Sequence, residues 1–149
     1  MAGTLYLVPT PIGNLGDISR RMTEILEAVD FIAAEDTRVT LRLLNHLGLK
    51  KQLMSYYRHN TGEAGEQVLQ RLLAGEDAAL VTDAGTPAVS DPGEDLVALC
   101  AAHEVTVVAL PGPCALITAL SVSGLPTARF TFEGFLPMNK KTAARSWRA

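Results

Sequence analysis

Short apolar runs alternate with longer stretches of helical periodicity along the whole chain. The runs are Leu5 to Val8, Phe31 to Ala34, Leu53 to Tyr56, Ala78 to Thr82, Val105 to Leu110 and Phe130 to Phe135. Each is too short for a helix and suits a buried strand. Between them, Ser19 to Ala28, Thr37 to Leu47, Gly62 to Ala74, Pro92 to Ala102 and Pro113 to Val122 carry helical patterns, with Gly48 and Gly75 where helix C-caps belong. The first helix keeps Met22, Ile25, Leu26 and Val29 on one side and Arg20, Arg21, Glu24 and Glu27 on the other. The last differs: Ala115 to Leu120, followed by Val122, offers hardly any polar face and requires cover from the rest of the domain or from a second chain. The alternation predicts an α/β fold, a mainly parallel sheet with helices on both faces.

Near Gly124-Leu125-Pro126 this rhythm breaks, and Phe130, Phe132 and Phe135 begin an alternating run that Pro137 ends. The expected division is an α/β domain over residues 1–123, then residues 124–149 as a linker, the first strand of a truncated second α/β domain and a basic tail.

Four strand-to-helix loops stand out. Thr82 to Gly93 reads TDAGTPAVSDPG, with three Gly/Pro turn signals and two carboxylates behind an apolar run. Asp91 suits an N-cap and Pro92 the first helical position. PTPIGNLGD (Pro9 to Asp17), EDTR (Glu35 to Arg38) and PGPCA (Pro111 to Ala115) follow other strands in the same way. In a parallel sheet all four reach the carboxyl rim, where ligands bind.

Composition narrows the chemistry. With 149 residues, 48% hydrophobic and 19% charged, the chain is a folded globular protein. No apolar run approaches the roughly 20 residues of a membrane helix, and the N-terminus lacks a signal-peptide pattern, so a cytoplasmic, membrane-free protein is expected. Cys100, Cys114, His46, His59 and His103 show no ligand spacing, and no metal is expected. Residues 1–137 hold nine basic and sixteen acidic side chains, a net of −7, whereas the last twelve residues carry Lys140, Lys141, Arg145 and Arg148 and no acid. Such a tail can bind phosphate or simply be solvated.

Two glycines in PTPIGNLGD, without GxGxxG, argue against NAD. In EDTR the carboxylates either pair with Arg38 or face a ligand, where one could orient a hydroxyl or accept its proton. Asp83 and Asp91 serve as turn caps or ligand contacts, and Gly85 lets a ligand approach the backbone, which suits an adenosine and an amino-acid moiety. Tyr56, Tyr57, Arg58, His59 and Asn60 form either a base-stacking cluster or an exposed loop with one anchored ring. The residues by themselves define a small-molecule site without an assignable reaction.

The blocks LYLVPTPIGNLGD, AAEDTR, LVTDAGTPAVSDPG, LPGPCALITALSVSGLP and FEGFLP, in this order from Leu5 to Pro137, resemble the tetrapyrrole methylase superfamily and specifically its 16S rRNA cytidine 2'-O-methyltransferase branch. Gly85-Thr86-Pro87, where porphyrin-modifying relatives show Gly-Asp-Pro, favours the RNA branch. The resemblance implies two α/β domains, a homodimer, S-adenosylmethionine as cofactor and S-adenosylhomocysteine as product. It places Pro11, Asp83, Ala84, Gly85, Thr86, Val89, Ser90, Cys114 and Ala115 on the cofactor. Asp36 is the candidate for orienting or deprotonating the ribose hydroxyl, and Arg38, Tyr57 and His59 are candidates for binding 16S rRNA of the small ribosomal subunit. Members continue well beyond this length, so an N-terminal portion, inactive alone, is expected. The alternatives are a tetrapyrrole-precursor methyltransferase and a non-catalytic dimerising or binding module.

Overall fold

Side chains in a strand alternate between the two faces of its sheet, so a strand buried at every position needs cover on both sides. Phe31–Ala34 and Ala78–Val81 are buried at all positions and form the strands β2 and β4. In the computed structural model, which describes residues 1–135, they join β1 (Thr4–Leu7), β3 (Gln52–Ser55) and β5 (Thr106–Ala109) in one sheet of order β3-β2-β4-β1-β5. Every pairing is parallel, as the alternation predicts.

The helices are α1 (Arg20–Ala28), α2 (Thr37–Leu47), α3 (Thr61–Leu73), α4 (Glu94–Ala102) and α5 (Ala115–Val122). Phe31, Ala33, Ala78 and Leu80 pack with Ala64, Val68, Leu69 and Leu72 of α3 and with Leu96 and Cys100 of α4. Their neighbours Ile32, Ala34, Ala79 and Val81 pack with Met22 and Leu26 of α1 and with Leu43 and Leu44 of α2 on the opposite face. The chain therefore leaves β2 toward one face and β4 toward the other, although these strands are neighbours. That divergence opens a crevice at their carboxyl ends, the place where open α/β sheets hold ligands.

Element ends agree with the periodicity to within two residues, with two corrections. First, Asp91 does not cap α4. The helix begins at Glu94 behind Gly93, whose φ of 129° belongs to glycine and whose missing Cβ would lie 2.5 Å from Leu80 Cδ2. Glu94 and Asp95 in its first turn complement the helix dipole instead. Second, no strand forms over Phe130 to Phe135, because alternation alone supplies no partner edge and none pairs with it among the described residues. The basic tail and Pro137 lie outside the described residues.

The chain divides into two compact units, the first being Met1–Ala115 and the second beginning at Leu116. The division read from the sequence at residue 123 would keep α5 with the sheet; no side chain of α5 is buried. No helix among the described residues is long and apolar enough to cross a membrane.

Phe31 is fully buried, and the Arg71 guanidinium lies 3.6 Å from its ring centroid. The substitution Phe31→Ala removes both the apolar volume and this cation–π contact. Chemical denaturation should show a loss of about 3–5 kcal/mol, as for buried aromatics elsewhere.

Candidate active site

Four loops meet at the carboxyl rim because parallel registers bring their strands to the same level. Ala34 lies opposite Val81, Leu7 opposite Leu80 and Ala109 opposite Leu7. Beyond those strand ends the loops remain tied. Thr10 and Gly85 exchange backbone hydrogen bonds of 2.9 and 3.0 Å, and Thr10 Oγ1 donates to the Thr82 carbonyl at 3.1 Å. Thr86 Oγ1 donates to the Pro113 carbonyl at 2.9 Å, joining the β4 and β5 loops.

The β2 and β4 loops hold each other through carboxylates. Asp83 Oδ1 accepts from the Asp36 N–H at 3.1 Å, while Glu35 Oε2 accepts from the Asp83 N–H at 3.4 Å. Glu35 is half-buried, and burial raises its pKa above the usual value; the nearby Asp83 and Asp91 charges push it the same way, against the Asp83 N–H and Arg58. Burial also raises Asp91, which Arg58 opposes. Arg58, after β3, is thus the cation facing two carboxylates of this rim.

Asp36 has the opposite character. It caps α2 by accepting from the Arg38 N–H at 2.9 Å, and takes Arg38 Nε at 3.0 Å and Nη2 at 2.6 Å. These bonds lower its pKa to about 2. Both oxygens are engaged, and so weak a base accepts a proton poorly near neutrality. This is the internal pairing that the sequence offered as one use of EDTR.

The other residues expected at the site are distributed as follows. Gly85 is buried with φ 91°, and Thr86 and Pro11 are half-buried. Asp83, Ala84, Val89 and Ser90 are exposed on the β4 loop; Cys114 is half-buried and Ala115 exposed after β5. Ala88 and Ser90 hold left-handed φ values of 65° and 56°, a strain of about 1–3 kcal/mol each that loops keep at ligand sites. Ala84, Ala88, Val89 and Ser90 make no hydrogen bond among the described residues, so their backbone groups remain open to a ligand.

After β3, Tyr56 is the anchored ring, fully buried with its hydroxyl donating to Asp95 Oδ1 at 2.7 Å. Tyr57 and His59 are exposed and meet edge to face at 6.4 Å. Two features were not singled out from the sequence. Glu35 was read only as one of a carboxylate pair, because nothing along the chain shows which of two adjacent acids becomes buried. A cleft of about 230 Å³ between the β1 loop and α2, lined by Thr10, Pro11, Leu15, Val39, Arg42 and His46 among others, needed the packing of α2 to exist.

Comparison with known proteins adds the lineage. The family described as Tetrapyrrole (Corrin/Porphyrin) Methylases matches residues 4–149. A curated Escherichia coli O157:H7 protein, Ribosomal RNA small subunit methyltransferase I, is 55% identical over 93% of this chain and 49% of its own length. A Synechocystis protein of the same name is 54% identical over 90% of this chain and 48% of its own length. The chain thus spans about half the length of these relatives. Among solved structures, a conserved hypothetical protein from Aeropyrum pernix aligns with a TM-score of 0.71 at 21% identity, over 88% of this chain and 46% of its own. Uroporphyrin III C-methyl transferase from Thermus thermophilus aligns with 0.60 at 22%, over 90% and 56% respectively. At such identities these two share the fold.

The folded pKa of Asp36 lies below its unfolded value of 3.8. Its contribution to stability is therefore present above pH 3.8 and lost as pH falls toward about 2. Denaturation of the wild type and Asp36→Asn across acid pH should show a stability difference that shrinks over that window.

Proposed function

The chain belongs to the tetrapyrrole (corrin/porphyrin) methylase family, and on that premise we propose that it is the cofactor-binding portion of an S-adenosylmethionine-dependent methyltransferase of 16S rRNA. The acceptor in this reading is the ribose 2'-hydroxyl of a cytidine in the small ribosomal subunit. The observation that carries it is the 55% identity, over 93% of the chain, with a protein named as a small-subunit rRNA methyltransferase.

The rim fits such a cofactor. Buried Gly85 allows close approach, and the open backbone of Ala84 and of Ala88 to Ser90 offers donors and acceptors without charge, as an adenosine and an amino-acid tail require. Pro11, Asp83, Thr86, Cys114 and Ala115 complete this wall. Bound S-adenosylmethionine supplies a methyl group on a sulfonium and departs as S-adenosylhomocysteine.

The protein's share of the work is alignment and one proton. Asp36, fixed by Arg38 and by its own helix, orients the hydroxyl. Glu35, with its pKa raised by burial, is the better acceptor for the hydroxyl proton. Exposed Tyr57 and His59 offer faces on which a base can stack, and Arg38 adds positive charge beside them. A homodimer working in the cytoplasm belongs to the same reading; the exposed Ile117 and Val122 of α5 support an apolar partner surface.

Calorimetric titration of this chain should show saturable binding of S-adenosylmethionine and S-adenosylhomocysteine and none of NAD. With the chain continued to the length of its relatives, labelled cofactor and small ribosomal subunits should yield label in 16S rRNA; label in a porphyrin precursor, or in neither, overturns the reading. In that longer protein Glu35→Gln should lower kcat by roughly 100-fold or more while cofactor affinity is kept, the usual scale for a lost general base.

A further inference from the structure

We propose that the cleft between the β1 loop and α2 is a subsite for one nucleotide of single-stranded RNA, beside the cofactor wall. The inference rests on the methyltransferase reading and extends it to the acceptor.

Its two walls come from different elements. Pro11 and Leu15 project from the β1 loop, and Val39 and Leu43 from α2. Apolar walls of this kind accept the flat, uncharged faces of a base. The floor is polar: Thr10, Thr40 and Thr82 all line this cleft and are the buried polar side chains of the described residues. Buried hydroxyls of this kind provide specific contacts to a base edge or a sugar.

Charge decides where the phosphate lies. Arg42 and His46 stand one helical turn apart on α2, line the cleft, and are exposed with no ion pair among the described residues. Arg38, one turn earlier, is neutralised by Asp36. Residues 1–137 otherwise carry a net charge of −7, so this uncompensated pair is the local exception. Asp83 lines the rim end, where α2 begins, and repels phosphate there while accepting hydrogen bonds from ribose hydroxyls. The nucleotide is thereby oriented with its phosphate toward Arg42 and His46 and its sugar toward the rim.

Size and position separate this cleft from the cofactor wall. At about 230 Å³ it is smaller than the roughly 300–1,000 Å³ that hold drug-sized ligands, and suits part of a nucleic acid rather than a whole cofactor. It nevertheless shares Pro11 and Asp83 with that wall, which brings its occupant alongside a bound methyl donor. Single strands are the form of RNA whose bases can enter such a cleft.

The test is fluorescence anisotropy of end-labelled tetracytidylate with this chain, across a salt series, with calorimetry of S-adenosylmethionine on the same samples. Wild type should bind. The double variant Arg42→Ala/His46→Ala should bind at least about five-fold more weakly, with the magnitude of the salt slope reduced by about one to two, as each lost phosphate contact dictates. Val39→Phe, which fills the cleft without removing charge, should also weaken binding, and both variants should keep wild-type cofactor affinity. Absence of tetracytidylate binding by the wild type overturns the proposal, as does undiminished binding by both variants or loss of cofactor binding from the double variant. Failure of the unaltered chain, continued to its relatives' length, to bind cofactor would instead overturn the methyltransferase reading.

Discussion

Between the end of β4 and the start of α4 the chain runs through Thr82 to Gly93 with no secondary structure to hold its shape. The geometry of the rim depends on how its neighbours restrain it. On one side the reciprocal Thr10–Gly85 backbone pair extends the contact between the β1 and β4 segments beyond the strands. On the other, Glu35 and Asp83 each accept from the backbone of the opposing loop, and Thr86 reaches the β5 loop. These bonds let Ala88 and Ser90 keep strained conformations that an unrestrained loop would relax.

The same clasp gives two adjacent acids different chemistry. Asp36 lies where α2 starts, and its own helix N-terminus and Arg38 stabilise the anion. Glu35, one residue earlier, is drawn against Asp83, where burial and like charge disfavour ionisation. One carboxylate thereby becomes a fixed anion and the other a group able to exchange a proton nearer neutrality. An oriented hydroxyl and an available proton acceptor are what transfer to a ribose oxygen requires of a protein, since most of the remaining work is alignment.

Much of this was legible in the residues. The short apolar runs marked all five strands of the sheet, because a strand covered on both faces cannot carry polar side chains. Turn residues behind those runs marked the rim loops, and Tyr56 to Asn60 was recognised as a loop with one anchored ring. The start of α4 and the fate of Phe130 to Phe135 were less legible. Asp91-Pro92 has the right residue types for a helix start, but the cap position was decided by the room that Leu80 leaves beside Gly93. Alternation at Phe130, Phe132 and Phe135 satisfies the pattern of a strand, but pairing requires an edge elsewhere in space.

The sequence by itself determined the alternation of strands and helices, the loops that carry the chemistry and, through five blocks in order, the family. Those properties depend on residues close together along the chain, where propensity and periodicity act. Tertiary structure decided the strand order that puts β4 between β1 and β2, the separate roles of Glu35 and Asp36, and the joining of Pro11 with α2 around one cleft. Each depends on groups that lie far apart in sequence, as Asp36 and Asp83 do across 47 positions. Burial and charge at such contacts are properties of the packed chain, and no local pattern encodes them.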